Sequence, residues 1–215
     1  MSNNTYSLNA PEISMETRTY RLHGLSELLG SQPSNPDVRT AYLSGKEPEK
    51  VQEENEYLPQ NVDEKGLTVF LRDPRTGALA LMDYVIKGFL KESLKVCDNG
   101  IKSAASKVDN FVFIEPRILQ IKKDGEPVKT PDLIFERTLR AMTMQGPRTA
   151  LAASECVYAP WTIDFTVTLL ANDGTKMSRA VTFDAIEQAL TYGRFKGLGQ
   201  WRNGGYGKFE CERIG

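Results

Sequence analysis

The sequence predicts an α+β fold in a single domain, residues 1–215, and three observations carry that expectation. Trp161, Ile163, Phe165, Val167 and Leu169 alternate strictly with Thr162, Asp164, Thr166 and Thr168. This is the period of a strand with one buried and one polar face. Met82, Val85, Ile86, Phe89, Leu90 and Leu94 recur at helical spacing and form one apolar stripe. A second helical pattern at 182–192 is followed by a glycine-rich segment and a closing β-prone run.

In chain order, residues 1–15 read as a polar arm, and TRTYRLHGL predicts a first strand at 17–24. SELLGSQPSNPD ends it with Gly, Pro, Ser and Asn. Residues 44–66 differ from the rest. Lys46–Glu64 carries seven acidic and two basic residues and almost no large apolar side chain. It reads as a long exposed insertion, either a solvated loop or a finger that meets a partner. LTVFLRD (67–73) is β-prone and PRTG (74–77) is a turn. The first helix is expected at 81–96, with Lys87, Lys91 and Lys95 four apart on a separate face and DNG (98–100) as its end. Strands are expected at 111–121, 151–158 and 161–170, the last two paired with each other. Between them, a turn at DGEP leads into a polar stretch with basic clusters that runs to Arg148. ANDGTK (171–176) is a turn, Thr182 an N-cap, Gly193 a helix stop, and 206–213 the final strand.

Composition narrows the function. At 40% hydrophobic and 26% charged, this is a chain that folds. The net charge of −1 gives no support for nucleic-acid binding, so a basic surface has to come from local segregation. MSNNTYSLNAPEIS has neither the basic start nor the apolar core of a signal peptide. No apolar run reaches the roughly 20 residues of a membrane span. Cys97, Cys156 and Cys211 are odd in number and far apart. They read as free thiols of a reducing, cytoplasmic setting, with one disulfide as the alternative. One histidine and no paired cysteines leave no Cys/His zinc site, and no metal or cofactor is expected. The paired carboxylates Glu53–Glu54 and Asp63–Glu64 read as solvated charge. GxSxG, HExxH and the P-loop are absent.

The informative segment is GRFKGLGQWRNGGYGKF (193–209). Its glycines, among them Gly197 and Gly199, let the backbone turn tightly and approach another chain. Arg194, Lys196, Arg202 and Lys208 can meet phosphates, and Trp201 and Tyr206 can stack on a base or pack the loop. Lys87 and Lys91 join the candidate set if they share a side with Arg194 and Arg202. The competing reading is a tight crossover between a helix and an edge strand, with the aromatics packed inside. A dinucleotide fingerprint fits poorly, because the segment leads from a helix to a strand, the reverse of the required order.

The order helix, glycine-rich basic loop, closing strand over Phe183–Ile214 resembles the C-terminal part of the RAMP superfamily of CRISPR-associated RNA-binding proteins. TYRLHGLSELL resembles that superfamily's opening strand, and MDYVIKGFLKESLK its first helix with a Lys-Gly pair. WTIDFTV followed by a helix and GLGQWRNGGYGKF is also similar to a family of bacteriophage proteins of unassigned function. The resemblance covers about half of the chain and does not extend to residues 30–66 or 122–150. It implies a ferredoxin-like, RRM-related antiparallel sheet with a protruding insertion between the first strand and first helix. It further implies binding of RNA or single-stranded DNA without catalysis, closest to subunits that coat guide RNA and assemble with copies of themselves or within a CRISPR-type complex. Two alternatives stand beside it. One is a phage interaction protein that binds or imitates such a complex, which the near-neutral charge favours. The other is a crRNA-processing type of endoribonuclease, for which His23 is the one histidine present and has no second proton-transfer group beside it in sequence.

Overall fold

The structure, a computed structural model, describes residues 15–34, 66–97, 101–143, 146–170 and 181–215. The chain opens with β1 (Met15–Gly24) and the two-residue strands β2 (Leu28–Leu29) and β3 (Gln32–Pro33). β4 (Leu67–Val69), β5 (Leu71–Arg72) and β6 (Leu79–Met82) lead into α1 (Asp83–Val96). α2 (Ala104–Phe111) runs straight into β7 (Val112–Glu115). β8 (Ile118–Gln120), β9 (Lys122–Lys123) and β10 (Glu126–Pro127) precede a long hairpin, β11 (Leu133–Thr143) with β12 (Gly146–Val157). β13 (Thr162–Leu170), α3 (Phe183–Thr191) and β14 (Phe209–Arg213) complete the fold.

The central sheet has the order β7–β13–β1–β14, antiparallel throughout. Taken with α1 and α3, the chain visits these elements as β1-α1-β7-β13-α3-β14. That is the βαββαβ connectivity of a ferredoxin-like fold, in which α1 carries the chain over the position of β13 and α3 carries it over β1. The α+β, antiparallel class expected from the sequence is the one observed.

Why the helices lie on one face follows from the strand pattern. Tyr20 and Leu22 of β1 and Ile163, Phe165 and Val167 of β13 are buried on one side. There they meet Ile86, Phe89, Leu90 and Leu94 of α1 and Phe183, Ile186, Ala189 and Leu190 of α3. Full burial of each Leu, Ile, Val and Phe among them contributes about 1.5–3 kcal/mol. Trp161 is wholly enclosed and donates its indole N–H to the Ser26 carbonyl at 2.8 Å. A side chain on Gly24 would stand 2.2 Å from that indole, so the end of β1 tolerates only glycine. Thr182 caps α3 as expected, its hydroxyl accepting from the Ala185 N–H at 3.2 Å. Gly88 sits exposed inside α1, with nothing within 4 Å of where a Cβ would stand. Gly88→Ala is therefore expected to stabilise the protein by about 0.5–1 kcal/mol, visible as a rise of a few degrees in Tm. A melting temperature unchanged or lowered would show that the helix needs this glycine.

The two insertions into this core come together. β12 pairs with β11, with β2 and, in parallel, with β4, so residues from the β1–α1 connection and from the β7–β13 connection build one second sheet. β5, β6 and β8 form a third, small sheet.

Several expectations need correction. The strand at 151–158 does not pair with 161–170. It belongs to β12, whose long partner β11 lies in the stretch that carries no strand signal. The segment 111–121 is two strands rather than one, and α2 precedes it unannounced. Met82 ends β6 instead of opening the helix, and the last strand starts at Phe209 rather than 206. The acidic insertion lies outside the described residues except for Gly66. So do most of the polar arm and the turns at DNG and ANDGTK.

Candidate nucleic-acid interface

The glycine-rich segment leaves α3, passes Gly193 under the Phe209 ring, and folds against the β1–β2 connection. Its backbone is closed by hydrogen bonds to that connection. Gly207 N–H donates to the Glu27 carbonyl at 2.7 Å, Leu25 N–H to Lys208 O at 2.7 Å, and Gln200 N–H to Leu29 O at 3.2 Å. Ser26 ties the two together: its hydroxyl donates to Gly205 O at 3.0 Å and accepts from Lys208 N–H at 2.9 Å. Within the loop, Leu198 N–H donates to Gly207 O at 2.9 Å. A Cβ on Gly197 would stand 2.1 Å from the backbone of Gly207, and one on Gly199 2.4 Å from Leu29 O. The glycines thus permit close backbone approach, and the loop is a packed platform.

The platform presents its side chains unevenly. Lys196 and Arg202 both turn back to Glu92 of α1. Lys196 Nζ bonds one carboxylate oxygen, and Arg202 Nη1 donates to the other at 2.8 Å. The hydrogen bond from Lys196, helped by Arg202, holds the Glu92 carboxyl below the usual carboxylate range. Arg194 is exposed beside Glu210 at 3.2 Å, an open pair of little energetic weight. Lys208 forms no side-chain ion pair among the described residues. Lys87 donates to the Asp109 carbonyl at 3.1 Å and lies 5.3 Å from the Phe113 ring centroid, while Lys91 pairs with the Asp109 carboxylate. These two lysines therefore engage α2 and its neighbourhood. Arg202, by contrast, reaches α1 through Glu92.

The aromatics form a cluster. Trp201 and Tyr206 stack with centroids 5.2 Å apart and planes 16° from parallel. Phe135 of β11 lies 5.3 Å from Tyr206 and 6.2 Å from Trp201. Arg137, two residues along β11, places its guanidinium 5.1 Å from the Trp201 ring centroid. Trp201 is held at φ 52°, a left-handed conformation that is uncommon for so bulky a residue. Phe195, at 74% exposure, is the most open large apolar side chain of the described residues.

The open face of the central sheet has a different character. Thr17, Thr19, Arg21 and His23 of β1 face the same way as Thr162, Asp164, Thr166 and Thr168 of β13. Thr19 and Thr166 hydroxyls bond at 3.2 Å. Arg21 makes two hydrogen bonds to Asp164, at 2.6 and 3.0 Å, and Lys122 adds a third at 3.1 Å. The Arg21 bonds, and then Lys122, hold Asp164 below its ordinary pKa. At one end a cleft of about 260 Å³ is lined by Arg21, His23, Lys122, Lys123, Asp124 and Thr162 among others. His23 Nε2 is 2.9 Å from Glu212 Oε2 there, with both side chains largely in solvent. The cations of this cleft have carboxylate partners: Asp164 for Arg21 and Lys122, Asp132 for Lys123.

Sequence reasoning missed Phe135, Arg137 and Glu92. The first two stand on alternate positions of β11, where burial is too slight to leave an apolar pattern. Glu92 is one acidic residue on a helix, and its partners lie 104 and 110 residues away. The described residues contain no group of three or more His, Cys, Asp or Glu able to hold a metal ion, and no helix long and apolar enough to cross a membrane. Cys97, Cys156 and Cys211 are free.

No protein-family model matches the chain, and no curated protein does. Among solved structures, it is similar to a chain in the cryo-EM structure of the type III-B Cmr-beta bound to cognate target RNA. The identity is 13% and the TM-score 0.47, over 93% of this chain and 61% of that one. This chain thus spans about three fifths of that chain's length. The fold assignment rests on the strand order and connections given above.

Proposed function

We propose that this chain is a non-catalytic RNA- or single-strand-binding protein that holds its strand along the glycine-rich platform. The observation that carries the reading is the platform's construction. Its backbone is closed on itself and on the β1–β2 connection, while Arg194, Phe195 and Trp201 stand at its surface and Lys208 is half-buried. Cations and aromatic side chains carried on one loop are what a phosphate-linked strand with exposed bases needs. The sheet face is poorly suited to that work. Its cations are paired with carboxylates, as Arg194, Lys196 and Arg202 of the platform are, but its one aromatic among the residues placed there, Phe113, lies on the edge strand β7. Base stacking on a sheet of this kind uses aromatics on the central strands. The resemblance of the opening strand, first helix and loop to the RAMP superfamily supports the finer reading of a guide-RNA-coating subunit that assembles with further copies.

The test is fluorescence anisotropy with labelled single-stranded RNA and DNA at several salt concentrations, together with the 260/280 nm absorbance ratio of the purified protein. Binding that weakens linearly in log salt is expected. A protein that purifies free of nucleic acid and binds neither strand at low salt would favour a protein-binding role, for which the balanced charge of the sheet face is the supporting observation.

The proposed role is binding without cleavage. His23 faces Glu212 from an open sheet surface, and the cations around it are occupied by carboxylates. General acid–base cleavage needs two proton-transfer groups placed about one phosphate. Labelled hairpin and single-stranded RNA are expected to survive incubation with the protein, with or without divalent metal. Site-specific cleavage that vanishes in His23→Ala would replace this reading with an endoribonuclease.

A further inference from the structure

Arg137 is the unusual residue of the second sheet. It is only 8% exposed, and its Nη1 donates to Ser154 Oγ at 2.9 Å. Its Nε meets no acceptor, the sole such buried side-chain nitrogen or oxygen among the described residues. None of those residues offers it a carboxylate. Burial pushes its pKa below the ordinary guanidinium value, as expected for a charge taken from water without a counter-ion. Buried arginines are ordinarily paired, because removing a lone charge from water is costly. The Trp201 ring 5.1 Å away offsets part of that cost but neutralises no charge. Above Arg137 stand the stacked Trp201 and Tyr206, and burial, with the Glu27 carboxylate adding, raises the Tyr206 hydroxyl's pKa. Tyr206 is therefore no counter-ion for Arg137 near neutral pH. The hairpin and the platform thus meet around a cation whose fork is incompletely used, beside a partly exposed indole held in a strained backbone conformation.

We propose that Arg137, Trp201 and Tyr206 form a seat for one nucleotide of the bound strand, with a phosphate oxygen on the part of the guanidinium that still reaches solvent, Nε itself being sealed, and the base packing on the exposed edge of Trp201. The seat rests on the nucleic-acid reading and deepens it. It makes the β11–β12 hairpin, which already brings Phe135 to the aromatic cluster, part of the strand's path. The chemistry recognised is a phosphate monoester or diester attached to a flat base: the guanidinium selects the anion, and the aromatic pair selects the ring.

Trp201 supplies the readout. The other tryptophan, Trp161, is fully enclosed, so quenching by an added small molecule reports Trp201. Adenosine 5′-monophosphate is expected to quench this emission at concentrations at least tenfold below those that adenosine requires, with inorganic phosphate competing without quenching. Arg137→Met is expected to abolish the preference for the monophosphate and to weaken binding of a labelled ten-nucleotide single-stranded RNA roughly tenfold. It should melt at or above the parent's temperature, because a lone buried charge has been replaced by an apolar side chain of similar reach. Arg137→Lys, which keeps the charge and loses the planar fork, should fall between the two. Equal quenching by nucleoside and nucleotide overturns the proposal. So does unchanged RNA affinity in Arg137→Met, or a fall of several degrees in its melting temperature, which would mark the guanidinium as structural. A parent protein that binds the RNA while Arg137→Met binds it equally well removes the seat and leaves the platform reading intact. A parent that binds no strand removes both.

Discussion

Replacing Arg194, Lys196 and Arg202 together by alanine is expected to lower affinity for single-stranded RNA on the order of 100-fold near 0.1 M salt. The slope of log K against log salt should flatten by about 0.7 for each phosphate that loses its cation, so by about 2 if all three side chains meet phosphates. The structure adds a condition to this expectation. Lys196 and Arg202 rest on the two oxygens of Glu92, which occupies the place a phosphate would take between them. A strand must displace that carboxylate or share its cations. Glu92→Gln removes the competing charge and keeps the shape, so it should strengthen binding and steepen the salt slope. The two variants therefore move affinity in opposite directions. If the cluster only staples the platform to α1, both will lower the melting temperature and neither will change the salt slope. Unchanged slopes in both would end the reading of these cations as phosphate ligands.

How far the sequence reaches can be judged from particular elements. β13 is legible because a strand packed on one face alone carries the strictest alternation available, and every second residue from Thr162 points to the open side. α1 is legible through its buried stripe, although Met82 belongs to β6: a helical spacing continues by chance into the residue before the helix. The hairpin is illegible for the opposite reason. Between Leu133 and Thr138 only Arg137 is buried, so no apolar rhythm marks β11. Without β11, the expected partner of β12 becomes the nearest strong strand, β13. α2 is eight residues long and joins β7 directly, which leaves no loop signal between helix and strand. In the platform, the residue types suited to a phosphate site are visible in the sequence. Their partners are not, because Glu92, Ser26 and Phe135 reach the loop only through the fold.

The largest loss of stability is expected from Gly207→Ala. Gly207 sits at φ +69°, where a side chain is strained, and a Cβ there would stand 2.0 Å from Leu198 O and 2.8 Å from Leu198 N. The same glycine accepts from Leu198 N–H at 2.9 Å and donates to Glu27 O at 2.7 Å. The platform cannot widen at this point without breaking the bonds that close it. Left-handed strain costs about 1–2 kcal/mol, overpacking about 1–3 kcal/mol, and each buried hydrogen bond broken adds to that. A sum of about 3–5 kcal/mol corresponds to a fall in Tm of roughly 10 °C for a chain of this size. Gly77→Ala is the control that separates the causes. Gly77 has nearly the same backbone, φ +72°, in the turn before β6, but nothing lies within 4 Å of the added Cβ. It should lose only the conformational part, about 1–2 kcal/mol, and melt a few degrees below the parent. Two variants melting together would mean that backbone strain alone decides both. The close approach of Gly207 to Leu198 would then be one the platform can relax, and the rigid support assumed for Arg194, Trp201 and Lys208 would go with it.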